Sequence, residues 1–443
     1  MNIASKSIRY LNQIHLNPKF PQNPKHPFNI KSILPSNFSS TSYRKRLNRR
    51  NLAASKPTLN EPQFHKAISH LLPRFTPQDL YNLITQQQDP LICLHLFNYA
   101  SNQPRFTHDT TTFHITIKKL GAAKMYPEMD RIVESVLSVS DQSFGSEVLY
   151  NSIIYFYTEG RMLSKAVSVY KHMRSLKQME CRPSIRTYNL LFAAFLSRRS
   201  NSYINHVYMG TMRMLFKNMV DDGVEPDVFA LNSMIKGYVL SLHVNDALRV
   251  YHQMGVVYDC RPNSFTFDYL IHGLCAQGRT CNAMKICGEM KEKGFVPSGK
   301  SYNSVVCAFA LEGEVDRAVG WLWEMVENGR LVDDITCWTV VDECCKRDRC
   351  GDALGLIEEL QEKRVVDRRG YKKLRHELKV NYGELCDRNG MKNVKKVLTC
   401  TPEWSQRDSS LRLCLVMACF YRRINIPFKR RGWNSFQFKA SIL

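Results

Sequence analysis

The 443-residue chain lacks the short signatures of common catalysts. No P-loop, Gly-x-Gly-x-x-Gly or His-Glu-x-x-His occurs, and no His-x-Glu is followed by Pro-Cys-x-x-Cys, which excludes the usual phosphate cradles and zinc hydrolase or deaminase sites. The chain is therefore read as a non-enzyme, with no catalytic residue, metal ligand, cofactor or small-molecule substrate. His376-Glu377 is an isolated pair read as surface. Long apolar runs are missing too. The longest, 413–420, falls far short of the roughly 20 residues that cross hydrocarbon, so no membrane partner is expected. The fifteen cysteines are odd in number and none stands in a Cys-x-x-Cys pair, which argues against a disulfide framework or a tetrahedral zinc site. Cys275, Cys281 and Cys287, and then Cys344, Cys345 and Cys350, read as buried reduced thiols packed as small hydrophobes in a reducing compartment.

Acid is absent from the first 60 residues, which carry eleven Lys and Arg. Ile3, Ile8, Leu11 and Ile14 recur at near-helical spacing around Lys6 and Arg9, and a stretch rich in Ser, Asn and Pro follows, with Arg44, Lys45, Arg46, Arg49 and Arg50. Residues 1–60 read as an organellar transit peptide, mitochondrial before plastid because the basic amphipathic segment comes early. A disordered basic RNA-binding arm is the alternative. Residues 401–443 add eight basic residues against two acids and read as a disordered extension. Although the formal net charge is +22, the stretch 61–400 is close to neutral, and bulk charge alone does not establish a polyanionic partner.

What the chain does have is a repeat. An aromatic followed by Asn occurs at Tyr150-Asn151, Tyr188-Asn189 and Tyr302-Asn303, with Leu231-Asn232 and Phe267-Asp268 in the same frame. Met173, Met254, Met290 and Met325 each follow an anchor Asn or Asp by 22 residues, and Pro183, Pro226, Pro262 and Pro297 precede the next anchor by six. Ala166, Ala247, Ala283, Ala318 and Ala353 recur at one offset, where a small side chain lets two helices approach closely. Gly278 and Gly313 fall between the apolar segments of a unit, and Gly223, Gly294 and Gly329 fall after the second, where a left-handed helix end is wanted. Each unit thus predicts a helical hairpin. The fold class is all-α, a right-handed α-solenoid of helix-turn-helix repeats of about 35 residues. In the unit anchored at Asn189 the methionine, Met219, comes late, which marks an insertion at 198–212, read as a solvated loop or as a surface for RNA or a partner.

Tetratricopeptide repeats have nearly this period, but their Trp-Leu-Gly-Tyr pattern is missing. The aromatic-Asn anchor, the Met 22 later and an ending such as Gly294-Phe295-Val296-Pro297-Ser298 resemble instead the pentatricopeptide repeat family, of the plain, repeat-only type of plant organelles. The resemblance covers about seven units over 110–368. Residues 61–109 read as a helical leader or degenerate repeat, with Asp89 to Ala100 as its leader helix, and 369–400 as capping helices. His114 stands where the first unit should have Asn, and Trp338 where the last should.

Asn is an indifferent helix former, so a row of them near helix starts needs a reason. One position past a buried anchor, a carboxamide turns out of the seam and can donate and accept toward a base edge. The resemblance implies one base per repeat, chosen by the residue after the aromatic and the one after the proline. Carried onto this sequence, Asn151 with Ser184 resembles a pyrimidine reader leaning to C, Asn189 with Asp227 a U reader, Asn232 with Asn263 a C reader and Asn303 with Asp333 a U reader. Asp268 with Ser298 is unassigned. The implied target is 5′-pyrimidine-U-C-N-U-3′. Ser184, Asp227, Asn263 and Ser298 are also what any helix N-cap would be, so capping alone remains open for them. Val148, Arg186, Phe229, Phe265 and Lys300, three residues before the anchors, would flank the bases or be partly buried between hairpins.

Two functional readings remain. One is a sequence-selective adaptor on single-stranded organellar RNA, acting in transcript stability, processing, splicing or translation, with other organellar RNA-processing or ribosomal proteins as partners, because so short a footprint recurs too often to be a unique address. The other is a helical protein-interaction scaffold or organellar ribosome component, favoured by the near-neutral middle.

Overall fold

The computed structural model describes residues 59–138, 145–197 and 202–386. The expected leader up to residue 58, the 401–443 tail and residues 387–400 lie outside the described residues. Among the described residues there are 18 α-helices, one short 3-10 turn at Met179–Cys181, and no strand. They fall into two compact units, Met1–Ala194 and Phe195–Leu443.

The first unit holds α1 (Glu61–Ser69), α2 (Pro77–Gln86), α3 (Pro90–Ser101), α4 (Thr110–Ala122), α5 (Tyr126–Ser138), α6 (Glu147–Glu159), α7 (Leu163–Ser175) and most of α8 (Ile185–Leu196). Polar caps start its helices. Thr76 and Asp79 form a reciprocal capping box, and Asp89 caps α3 with Pro90 in the first turn, where a missing N–H costs nothing. Leu80, Ile84, Ile92, Cys93 and Leu96 form one buried cluster of the leader helices, with Ile115 of α4 in it. From there, α4 with α5 and α6 with α7 make hairpins, and α4 packs on α6.

The second unit starts with α9 (Ser202–Asp221) and continues as α10 (Val228–Leu240), α11 (Val244–Val257), α12 (Ser264–Ala276), α13 (Thr280–Glu292), α14 (Gly299–Glu312), α15 (Val315–Glu327), α16 (Asp334–Cys345), α17 (Cys350–Glu362) and α18 (Arg368–Cys386). α10 to α17 form four hairpins. The first helices α10, α12, α14 and α16 stack in order, and α18 lies on α16 and α17. The chain is thus an all-α repeat fold of stacked helical hairpins.

The conserved offsets of the sequence have one physical meaning each. Ala166, Ala247, Ala283, Ala318 and Ala353 are completely buried, as are Met173, Met254, Met290 and Met325, and the anchors Tyr150, Tyr188, Leu231, Phe267 and Tyr302 are buried with them. Each fully buried side chain of the larger kind contributes roughly 1.5–3 kcal/mol. The methionines also mark where the second helix closes. Phe295 N–H donates to Met290 O and Arg330 N–H to Met325 O, each at 3.0 Å, the six-to-one bond of a Schellman ending around the left-handed Gly294 and Gly329.

All five expected glycines have positive φ, but glycine accounts for only half of these turns. Lys124, Arg161, Leu242 and Asp348 take φ of 60, 62, 67 and 59° between the helices of their hairpins, and Arg364 takes 54° after α17. The same closing bond is made in each, for example His243 N–H to Tyr238 O at 2.8 Å. Packing on both sides imposes a conformation that the side chain alone disfavours by roughly 1–2 kcal/mol.

Two expectations need correction. The solvated-loop reading of the insertion 198–212 is overturned: the chain is helical from Ser202 onward, within the 20-residue α9. Met209 and Met212 are buried, and the Asn205 carboxamide donates to Leu240 O at 3.2 Å. Cβ atoms are absent from Gly237, where one would approach Met209 Sδ within 2.7 Å, so that glycine makes room for the insertion. Of the two cysteine groups, Cys281 is exposed, whereas Cys275, Cys287, Cys344, Cys345 and Cys350 are buried free thiols. Cys281 falls in the first turn of α13, off the seam.

Candidate nucleic-acid interface

The residues after the prolines, and Asp333, which follows Val332 in the same frame, are helix caps. Asp227 accepts from Ala230 N–H (2.7 Å), Asn263 from Thr266 N–H (3.2 Å), Ser298 from Ser301 N–H (3.3 Å) and Asp333 from Thr336 N–H (2.7 Å). Ser184 accepts from Arg186 N–H at 3.1 Å. Capping fixes one oxygen of each side chain against the helix start.

The anchor residues meet these caps across hairpin boundaries. Asn232 Nδ2 donates to Asn263 Oδ1 at 3.0 Å, and Thr266 Oγ1 donates to Asn232 Oδ1 at 2.7 Å. Asp268 Oδ1 accepts from Ser298 N–H at 3.2 Å and from Ser301 Oγ at 2.6 Å. In the first unit Asn151 Nδ2 donates to Glu147 Oε1 (2.9 Å), Ser184 Oγ donates to the same carboxylate, and Thr187 Oγ1 donates to Asn151 Oδ1 (2.7 Å). Asn232 and Asn303 are only 8% and 5% exposed, while Asn151, Asn189 and Asp268 are half-buried. Sequence reasoning missed Glu147, which at the first position of α6 reads only as a charge favourable to the helix dipole. It also missed the hydroxyls of Thr187, Thr266, Ser301 and Thr336, all completely buried. Their signal was a Ser or Thr three residues after four of the five caps, Asp227 being followed there by Ala230.

Three residues before the anchors, the flanking side chains stand in solvent. Val148, Phe229 and Phe265 are 61%, 49% and 61% exposed, large apolar surfaces next to hydrogen-bonded polar groups, and Arg186 and Lys300 are exposed as well. Residues three apart share a helix face, so each such side chain lies on the same face as its anchor. Lys236, one turn beyond Asn232, is half-buried with its ammonium 5.8 Å from the Tyr269 ring centre. Burial first, and then the nearby Lys300, hold its pKa below the usual lysine value.

The ends differ. His114 Nε2 pairs with Ser152 Oγ at 2.9 Å, and burial, with Lys118 adding to it, lowers its pKa. At the other end, Trp338 lines an open cleft of about 710 Å³ with Asp342, His376, Glu377, Val380, Asn381 and Tyr382. The His376-Glu377 pair is therefore the wall of a cleft, with His376 exposed and Glu377 half-buried. Tyr382 OH donates to Asp342 Oδ1 at 2.8 Å, where α18 departs from helical geometry at Tyr382. Among the described residues no group of three or more His, Cys, Asp or Glu is arranged to hold a metal ion.

Two family models match the chain: the "PPR repeat family" over 226–276 and 262–311, and the "PPR repeat" over 148–177 and 300–330. A mitochondrial pentatricopeptide repeat-containing protein of Arabidopsis thaliana is 62% identical over 256 residues, 58% of this chain and 58% of that one. Residues 148–177 and 226–330 are pentatricopeptide repeats. A second mitochondrial pentatricopeptide repeat-containing protein of Arabidopsis thaliana is 32% identical over 197 residues, 44% of this chain and 51% of its own, and a chloroplastic one is 24% identical over 220 residues, 50% of this chain and 26% of its own. The chain thus spans little more than half the length of the first two relatives. Among solved structures, the pentatricopeptide repeat protein PPR10 from maize is similar over 87% of this chain and 58% of that one, with 16% identity and a TM-score of 0.47. The pentatricopeptide matches over 226–330 take in the hydrogen-bonded anchors Asn232, Asp268 and Asn303.

Proposed function

We propose that the chain is a sequence-selective, single-stranded RNA-binding adaptor of the mitochondrion that reads one base per repeat and performs no bond-breaking step of its own. One observation carries the reading. Val148, Phe229 and Phe265 are exposed apolar side chains, each on the helix face of a hydrogen-bonding anchor three residues later. A base stacked on an aromatic ring such as Phe229 or Phe265 gains roughly 1–3 kcal/mol and presents its edge to the anchor.

The chemistry of the caps supports the base preferences. In the pair Asn232 and Asn263, the Asn263 oxygen is taken by Thr266 N–H and by Asn232 Nδ2, which leaves its NH2 as a donor. A donor suits the N3 acceptor of cytosine. Asp333 is a carboxylate with acceptors only, which suits the N3–H of uracil beside Asn303. Residues 1–60 act as the mitochondrial address, in keeping with the two mitochondrial relatives. The RNA step served is protection, processing, splicing or translation of a transcript.

The test is binding of the chain to a 5-mer of the form pyrimidine-U-C-N-U and to a purine 5-mer. Tighter binding of the first is expected; equal binding overturns the reading. The scaffold reading is favoured by the near-neutral charge of 61–400, and a protein partner that survives nuclease treatment while RNA binding is absent would establish it.

A further inference from the structure

Four of the five caps are followed, three residues on, by a hydroxyl that base reading leaves unused; after Asp227 the position holds Ala230. Thr187, Thr266, Ser301 and Thr336 stand three residues after Ser184, Asn263, Ser298 and Asp333 and are completely buried. A hydroxyl has one proton, so each must choose an acceptor.

Three of them choose the anchor of the preceding repeat. Thr187 donates to Asn151 Oδ1 at 2.7 Å, Thr266 to Asn232 Oδ1 at 2.7 Å and Ser301 to Asp268 Oδ1 at 2.6 Å. Thr266 also lies 3.2 Å from its own cap oxygen, but the anchor contact is shorter by half an ångström. Its oxygen is meanwhile an acceptor for Asn263 N–H at 3.1 Å, which leaves it poorly able to accept from a carboxamide NH2. Turning Asn232 over would set that NH2 against Thr266 Oγ1 and oppose the oxygens of Asn232 and Asn263. The carboxamide is held in one of its two orientations.

At the last of these boundaries the arrangement changes. Thr336 Oγ1 donates to its own cap, Asp333 Oδ1, at 2.6 Å. Asn303 Oδ1, in a residue only 5% exposed, is left buried with no hydrogen-bond partner. A carboxylate cap outcompetes the anchor because an ionised acceptor makes the stronger bond.

We propose that the buried hydroxyl is a specificity-determining positioning residue, which locks the anchor carboxamide when the cap is neutral and releases it when the cap is Asp. The inference rests on the RNA reading above. Asn232 then offers a fixed edge and discriminates sharply, whereas Asn303 can turn either edge to its base and discriminates through Asp333.

The experiment compares the full chain with Thr266→Val and Thr336→Val on RNA 5-mers that carry each base in turn at the nucleotide facing Asn232 or Asn303, with melting temperatures recorded alongside. Thr266→Val is expected to reduce base discrimination at the Asn232 nucleotide by about threefold to tenfold, the weight of one net hydrogen bond, with the Asn303 nucleotide unchanged. Thr266→Ser restores it, and Thr336→Val changes discrimination at the Asn303 nucleotide by less than about twofold. If Thr266→Val fails to fold, Thr187→Val and the Asn151 nucleotide carry the same comparison, because Asn151 is likewise a carboxamide held by a hydroxyl beside a neutral cap. Equal weakening of all four bases overturns the inference alone and reduces the hydroxyl to a structural part. Failure of the unsubstituted chain to bind any of the RNAs overturns the RNA reading itself, and the inference with it.

Discussion

Thr266 and Asn232 lie 34 residues apart and are joined by a 2.7 Å hydrogen bond in which the threonine hydroxyl donates to the carboxamide oxygen. The bond crosses the boundary between two hairpins. It ties the polar face of the repeat to the same stacking that buries Phe267 and Leu231 one residue away on either helix. Position and chemistry are thereby set together: the seam fixes where the anchor stands, and the hydroxyl fixes how it faces.

Phe265 and Phe267 separate binding from stability. Phe265→Ala removes an exposed ring and is expected to weaken RNA binding about tenfold, or roughly 1–3 kcal/mol, with little change in melting temperature. Phe267→Ala empties a completely buried anchor site and is expected to cost about 3–5 kcal/mol of stability. Thermal melts and binding isotherms on both variants check the contrast.

The alanine offset makes a second prediction. Ala318 is completely buried between α14 and α15, so Ala318→Leu overpacks the hairpin and is expected to destabilise it by about 1–3 kcal/mol. Denaturant titration measures the loss.

Leu242 holds φ at 67° with no glycine to ease it. Leu242→Gly is expected to stabilise the second unit by roughly 0.5–1 kcal/mol, the relief of left-handed strain being partly offset by a more flexible unfolded chain. A raised midpoint in urea is the expected result.

His108 makes stability depend on pH. It stacks on Phe97 at 3.8 Å between ring centres and pairs with Ser101 Oγ at 2.8 Å. Burial lowers its pKa to about 4, against a weaker upward pull from the Phe97 backbone and Asp109. The native state therefore holds the neutral ring, while the unfolded state takes up a proton below its ordinary pKa near 6.5. Stability is full above about pH 6.5 and falls as pH drops toward 4, by roughly 2–3 kcal/mol in all. Equilibrium unfolding at several pH values, with His108→Phe as the comparison, isolates the contribution.

The hairpins were legible because the helix seam demands particular sizes at particular places: Ala247 and Met254, or Ala318 and Met325, recur at offsets that only paired helices explain. The turns at Lys124, Arg161 and Asp348 were not, because their left-handed conformation is imposed by tertiary packing and leaves no glycine behind. The insertion was misread for a related reason. Its Arg, Asn and Tyr content suggested solvent, yet Asn205 caps a carbonyl of α10 and Met209 fills the space over Gly237. Asn151, Asn232 and Asn303 stood out as poor helix formers in a helix. Their hydroxyl partners did not, since Thr187 or Thr266 in a first helical turn is unremarked by propensity alone, and the bond that gives it meaning spans two repeats.

The central claim is that the anchors read bases. Crosslinking and sequencing of RNA bound to the tagged protein in purified mitochondria tests it most directly, with an Asn189→Ala and Asn303→Ala double variant beside it. One enriched footprint containing pyrimidine-U-C-N-U, lost in the double variant, is the predicted result. Recovery of ribosomal RNA alone, unchanged by the two substitutions, would contradict it.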